Sequence, residues 1–300
     1  MSHVRSFALA VAVMATALVA GPAAAQSGCR LVIESGADFW AMSYDPFQQD
    51  AAVREFDIAV LNQGDAACSA VTRVELRAEE FGLTNSVTTQ RIAYALVDER
   101  AGADVTPRAG QSARRLSARP LTLAPGERGL MRLSFQVAPS ETPAAGVYSQ
   151  NAYIVLESQD GQVLARRPLS LNIEVPSAAV MGLKGEFRRT GGVATLDLGE
   201  LSEGSRSLRT TLYVLSTAGY SVSVSSANRG QLRQGSTEWY IPYDLALGDR
   251  DMQLAQGGRL DVVSRRARFD DYPLTIRIGS VEGLRAGDYK DTLTFTIAAI

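Results

Sequence analysis

The sequence predicts an all-β protein built of two β-sandwiches, the second lacking its last strand. Three observations predict it. After residue 25 no segment carries a convincing 3.6-residue apolar period. Turn signals recur roughly every 8–15 residues between short alternating runs, the pattern of sandwich strands. And one long stretch of the chain occurs twice.

The repeat joins Leu133–Leu156 to Leu274–Ile297 at a constant offset of 141 residues. Leu133, Phe135 and Val137 match Leu274, Ile276 and Ile278. Ala145, Gly146 and Tyr148 match Ala286, Gly287 and Tyr289. Ala152, Ile154 and Leu156 match Leu293, Phe295 and Ile297. A repeat at domain length means two copies of one fold. In each copy the repeated stretch reads as two strands joined by a turn, a hairpin. In the later copy Leu293, Phe295 and Ile297 point one way and Thr292, Thr294 and Thr296 the other, as in a half-buried strand. After Leu156 come a Gln159-Asp160-Gly161 turn and a closing strand, Val163 to Val175. After Ile297 only three residues remain, so the second copy is expected to lack that strand.

Residues 1–25 read as a secretory signal: Arg5 before an apolar run from Phe7 to Ala20, then Ala23-Ala24-Ala25. The expected domains are 26–176 and 177–300, with Pro176–Lys184 as the join. Two cysteines in an exported chain, Cys29 and Cys68, are expected to form a disulfide. The whole chain has 30 basic and 32 acidic residues; without the leader, which holds one Arg and no acid, the balance is 29 to 32. Such a charge excludes a nucleic-acid footprint.

The only histidine, His3, lies in the leader. The remainder therefore has no Ser-His-Asp or Cys-His catalysis and no common zinc site. Carboxylate-only hydrolysis stays open in principle, but nothing sets two acids across one cleft. No enzyme activity, cofactor or metal is expected. Asp249 with Asp251, and Asp270 with Asp271, lack a full calcium-loop pattern and are taken as turn residues.

In chain order the first domain opens with a strand at Cys29–Ile33 and an aromatic segment from Phe39 to Phe47. Within it Trp40 and Phe47 flank turns and are candidates for surface binding; the competing reading is core. Strands are expected at Arg54–Leu61, Val71–Ala78, Gln90–Val97 and within Leu121–Val137, with a basic loop carrying Arg100, Arg108, Arg114, Arg115 and Arg119. In the second domain strands are expected at Leu196–Gly199, Ser207–Leu215, Gly219–Ser225, Glu238–Leu247 with a core cluster of Trp239, Tyr240 and Tyr243, Tyr272–Ile278 and Thr292–Ile297. Gly257-Gly258 is expected to be a hairpin turn. Gly146 with Tyr148, and Gly287 with Tyr289, are expected as structural corners, the Gly permitting a turn that the Tyr caps. Both domains are expected to be immunoglobulin-like.

A sandwich short of a strand exposes core side chains and a row of unpaired backbone groups, which suits completion by a strand of another chain. The expected groove residues are Leu293, Phe295 and Ile297 with Leu274 and Ile276. Here a resemblance appears. Tyr44-Asp45-Pro46-Phe47, the Asn62-x-Gly64 turn before Cys68, Leu196-x-Leu198-Gly199, and Ala286-Gly287-x-Tyr289-x-Asp291-Thr292-Leu293-Thr294-Phe295-Thr296 resemble the spore coat protein U-like domain of archaic chaperone–usher pilus subunits. The resemblance implies secretion, an incomplete immunoglobulin-like fold, donor-strand assembly with another pilus subunit, a periplasmic chaperone holding the last strand and the Ile300 carboxylate, and an outer-membrane usher. With only Gln26–Gly28 before Cys29, the chain has too little ahead of the fold to donate a strand. It is expected to be a tip adhesin at the cell surface, gripping an unidentified target through its first domain. The rival readings are the periplasmic chaperone itself and a secreted carbohydrate-binding protein.

Overall fold

The computed structural model describes residues 28–36, 38–48, 50–87, 89–107, 119–139 and 142–300. The leader, with His3, and Arg108, Arg114 and Arg115 of the basic loop lie outside the described residues. The described residues form β-strands joined by turns and loops, with no helix among them.

The first half contains β1 (Leu31–Ile33), β2 (Phe39–Ser43), β3 (Ala52–Asn62), β4 (Cys68–Leu76), β5 (Leu83–Thr84), β6 (Arg91–Ile92), β7 (Ala95–Asp98), β8 (Ala103–Asp104), β9 (Leu121–Leu123), β10 (Arg128–Val137), β11 (Gly146–Glu157) and β12 (Val163–Val175). One sheet runs β1-β3-β10-β7-β8, the other β2-β12-β11-β4-β9, with β5 and β6 attached to the second through β11. Alternation decides which face is dry. Ile58 and Val60 on β3 are fully buried, while Asp57 on the wet face meets its cross-strand partner Arg132 at 2.8 Å. The inner faces of both sheets share one apolar core.

Where the chain enters, Cys29 is bonded to Cys68. Beside it the Asn62–Asp65 turn presses on the entering strand. A Cβ on Gly64 would lie 2.0 Å from the carbonyl oxygen of Gly28, so only glycine fits. The buried Asn62 amide holds the turn, donating to Ala66 O at 2.8 Å and Leu123 O at 3.1 Å and accepting from the Gly64 N–H at 2.9 Å.

The second half contains β13 (Ala179–Gly185), β14 (Arg188–Thr190), β15 (Val193–Thr195), β16 (Gly204–Ser216), β17 (Tyr220–Ser226), β18 (Gln231–Gln234), β19 (Tyr240–Leu247), β20 (Arg250–Met252), β21 (Gly258–Val262), β22 (Arg268–Ile278), β23 (Tyr289–Lys290) and β24 (Leu293–Ala299). The larger sheet runs β13-β16-β22-β19-β18-β23, with β20 on β19; the smaller is β21-β17-β24; β14 and β15 form a separate hairpin. A second apolar core lies between them. Thr217, fully buried in the β16–β17 turn, ties the halves together. Its carbonyl accepts from the Ala145 N–H, and its hydroxyl accepts from the Ala178 N–H and donates to Pro176 O, each at 2.8 Å.

The structure corrects several expectations. The repeated stretch is not a hairpin: β10 and β11 lie in opposite sheets, as do β22 and β24, so the connection crosses the sandwich. Pro176–Lys184 is not merely a join, because Ala179–Gly185 pairs along β16 as β13. Leu196–Gly199 lies outside any strand. Gly257-Gly258 links β20 to β21 across sheets rather than closing a hairpin. Of the expected aromatic cluster only Tyr243 is buried; Trp239 and Tyr240 are exposed. Asp270 and Asp271 are strand residues paired with Arg268 and Lys184, each at 2.6 Å, rather than turn residues.

Trp40 is not a surface residue. It is 1% exposed and stacks on Phe56 with ring centroids 4.5 Å apart, because β2 turns its even-numbered residues into the core. Phe47 is half-buried, and the exposed aromatic of the segment is Phe39.

Breaking the disulfide with Cys68→Ala should lower stability of the first sandwich by about 4 kcal/mol, since the bond spans 39 residues. Urea unfolding of the oxidised chain against the variant measures it, and a loss below about 1 kcal/mol contradicts it.

Candidate functional site

Strand register aligns the two sandwiches residue by residue. β10 corresponds to β22 and β11 to β24 through the 141-residue offset, and β11 and β24 are each hydrogen-bonded to the strand that carries Val74 or Val224. The sheets then differ in width. In the first, β11 is flanked by β4 on one edge and β12 on the other, and β2 lies beyond β12. In the second, β24 pairs with β17 from Leu293↔Ser226 to Ala299↔Tyr220. Its other edge has no strand partner among the described residues.

Burial follows the missing neighbour. Ala152, Ile154 and Leu156 are fully buried, whereas their equivalents Leu293, Phe295 and Ile297 are only partly so. The matched residues away from that edge show no such gap: Leu133, Phe135 and Val137 are buried, and so are Leu274, Ile276 and Ile278. Leu274 and Ile276 therefore sit in the core on β22, in the sheet facing β24, at 3% and 5% exposure, rather than on the open wall.

Beside the unpaired edge of β24 lies β13. Its Ala179, Met181 and Leu183 alternate onto the second core and stay partly exposed there, as do the β24 residues. β13 and β24 approach within 8 Å between Cα atoms without pairing to each other. Two partly exposed apolar rows, one on β13 and one on β24, thus lie side by side at the edge of the second core. The β13 row was hidden in the sequence, because Ala178, Ala179 and Gly182 break up the run and make it resemble a linker. The faint signal was the alternation Ala179-x-Met181-x-Leu183.

Two polar anchors hold the β17–β24 ladder at its ends. At one, the Asp291 carboxylate accepts from the Tyr243 and Ser226 hydroxyls, both at 2.5 Å, and from the Asn228 N–H at 3.0 Å. The buried Tyr243 hydroxyl is pushed far above its usual pKa, first by burial and then by Asp291. The first sandwich carries the same device: Tyr94 donates to the buried Gln150 at 2.9 Å. Gln150 and Asp291 are 141 residues apart, and Tyr94 and Tyr243 each lie two residues before a leucine paired in equivalent register, Leu96 with Phe135 and Leu245 with Ile276. At the other end Tyr220 donates to Asp270 at 2.7 Å and meets the Tyr272 hydroxyl at 2.5 Å, while Arg268 holds Asp270 from two nitrogens at 2.6 Å. That guanidinium keeps the Asp270 carboxyl below its usual range against the opposing effect of burial.

The corners take one form in both halves. Tyr148 donates to Ala144 O at 2.9 Å and Tyr289 to Arg285 O at 2.7 Å, each reaching back four residues over Gly146 or Gly287. Gly146 has φ +138° and Gly287 φ +150°; a Cβ on Gly287 would lie 2.0 Å from the Gln234 amide nitrogen. Ile300 is half exposed, and its N–H donates to Gly219 O at 2.9 Å. Among the described residues no group of acids, histidines or cysteines is arranged to hold a metal, and no helix is long and apolar enough to cross a membrane.

No family model matches the chain, and no curated protein matches it. Solved structures do. The chaperone–tip adhesion subunit pre-assembly complex of archaic Csu pili from Acinetobacter baumannii is 12% identical, with 89% of this chain and 99% of that chain covered and a TM-score of 0.47. The CupB6 tip adhesin of Pseudomonas aeruginosa is 15% identical over 90% and 96%, with a TM-score of 0.34. The Escherichia coli chaperone DraB is 12% identical over 82% and 86%, with a TM-score of 0.23. Pilus adhesins and chaperones are thus both among the similar structures, at TM-scores too low for any of them to assign a role.

Tyr243→Phe should cost about 1–2 kcal/mol by removing one donor from a partly buried carboxylate, and Tyr94→Phe a similar amount in the first sandwich. Urea unfolding with a probe in each half separates the two; an unchanged midpoint contradicts the anchor. The depressed Asp270 carboxyl stabilises the fold above about pH 4, the unfolded aspartate value, and this contribution is lost as pH falls through the lower folded value. Arg268→Gln should therefore flatten the acid limb of stability against pH, and an acid limb identical to that of the parent chain contradicts the assignment.

Proposed function

We propose that this chain is a non-enzymatic subunit of a chaperone–usher pilus, of the two-domain tip-adhesin type. Its second sandwich joins the fibre by accepting a strand from the next subunit. The observation that carries the reading is the contrast between twins: among the described residues β11 lies between two strands and β24 is paired with one. A strand laid on the free edge would pair the outward backbone groups of β24 and finish burying Leu293, Phe295, Ile297, Met181 and Leu183. Each side chain would gain on the order of 1 kcal/mol before ordering costs. Before assembly a periplasmic chaperone would cover the same edge, and an outer-membrane usher would pass the subunit on. The first sandwich, closed by its own β12, is left to meet the target surface. An open second sandwich fits a subunit better than a chaperone, which would have to be stable without a partner. Placement at the cell surface follows from this reading together with the leader.

Expressed alone without its leader, the chain should aggregate or be degraded. A synthetic peptide of alternating Val and Thr should hold it in solution, and Phe295→Asp should weaken uptake of that peptide at least tenfold by setting a charge in the groove. A stable monomer that ignores the peptide overturns the proposal.

A further inference from the structure

The end of the first sandwich opposite the Thr217 joint is formed by the turns at 62–65, 124–127 and 158–162. None of them carries an aromatic residue. Their polar groups are largely spent on one another: the Gly28 N–H donates to Asp65, the Gly64 N–H to Asn62, the Ala124 N–H to Glu127 and the Ser158 hydroxyl to Asp160. Among the described residues the exposed aromatic of this sandwich is Phe39, on the flank instead of the end, at 66% exposure.

Phe39 begins a stripe across the outer face of the sheet that holds β2, β12, β11 and β4. Register sets Phe39 beside Ser170 and Ser170 opposite Asn151. Two residues along β12, Pro168 stands opposite Tyr153, and Tyr153 opposite Glu75. Alternation turns all of these outward, because the intervening Trp40, Leu169, Ala152 and Val74 are buried. From strand spacing and rise, Phe39 and Tyr153 stand roughly 12 Å apart, about the length of two linked pyranose rings, with Pro168 between them. Guanidinium groups continue the surface over Tyr153, Arg166 at 3.8 Å from the ring centroid and Arg77 at 5.3 Å.

The charges of this face cancel. Arg73, Arg77 and Arg166 are matched by Glu75, Glu79 and Glu157. Arg73 meets Glu75 at 2.5 Å and Glu157 at 3.3 Å, Arg166 meets Glu75 at 3.2 Å, and Glu79 takes the Asn151 amide at 2.9 Å. A charged partner would have to break one of these pairs for each new one it made. An uncharged ligand leaves them intact and uses their spare donors and acceptors. An exposed aromatic, a proline and planar polar groups on one sheet face suit a ligand with apolar C–H faces and hydroxyl edges.

We propose that this face binds a neutral polysaccharide laid across the strands. Sugar faces rest on Phe39, Pro168 and the Tyr153–Arg166 stack, and hydroxyls meet Asn151 and Arg77. As the target of an adhesin this rests on the subunit reading above; as a binding site it does not depend on the free edge of the second sandwich.

The test is affinity electrophoresis of the chain without its leader, kept in solution by the alternating Val/Thr peptide. The gels hold neutral hydroxyethylcellulose, dextran or galactomannan, anionic alginate, or cationic chitosan. At least one neutral polymer should retard the chain more than alginate and chitosan do. Phe39→Ala should raise the polymer concentration needed for half retardation about tenfold. Trp239→Ala, an exposed aromatic of the second sandwich, should leave it unchanged, and both variants should unfold at the temperature of the parent chain. Parent-like retardation of Phe39→Ala overturns the site. Stronger retardation by alginate or chitosan than by any neutral polymer overturns the ligand class, and no retardation in any gel overturns the proposal. A chain that stays in solution without the peptide is run alone; that result counts against the subunit reading and leaves this test intact.

Discussion

A strand inside a sheet satisfies its backbone on both sides, and among the described residues β24 has a partner strand on one side only. Water can serve the free N–H and C=O groups, so the edge is tolerable in isolation. It is also adhesive, because any extended chain can replace that water and gain the apolar surface beneath. The rest of the second sandwich is arranged around this edge. Asp291 and Tyr220 pin the β17–β24 ladder at its two ends, so the edge is held extended by bonds on its inner side. Thr217 fixes the β16–β17 turn against the first sandwich.

The first sandwich serves as an internal control. The same connection crosses between sheets, the same tyrosine reaches back four residues over a glycine, and the same tyrosine-to-polar-group pin recurs. With so much held constant, the difference in burial between Ile154 and Phe295 has a local cause, the presence or absence of β12. Phe295 is as apolar as its twin and sits on the same face; what it lacks is a neighbour. Hydrophobicity alone therefore does not explain its exposure.

Much of this was legible in the sequence, and the limits have physical reasons. The alternation of Arg54–Leu61 and Val163–Val175 predicts β3 and β12 because side-chain period is a local property. Sheet partnership is not local. The repeated stretch gives the right strands yet the wrong pairing, since nothing in Leu274–Ile297 says that β22 and β24 face each other rather than share hydrogen bonds. β13 was missed because small residues in an edge strand resemble a linker. The sequence leaves Trp40 between core and surface because its neighbours look like turns; one residue of phase puts Trp40 inside and Phe39 outside. The Asp291–Tyr243 pin was out of reach, since its members lie 48 residues apart and only the fold brings them together.

The central claim, that β24 has one paired edge and β11 two, is tested most directly by amide hydrogen exchange resolved along both strands in the chain without its leader. The account predicts that amides of Leu293–Ala299 directed away from β17 exchange much faster than their offset equivalents in Gly146–Glu157. They should become protected when a complementing strand is added. Equal protection of the two strands in the isolated chain would contradict it.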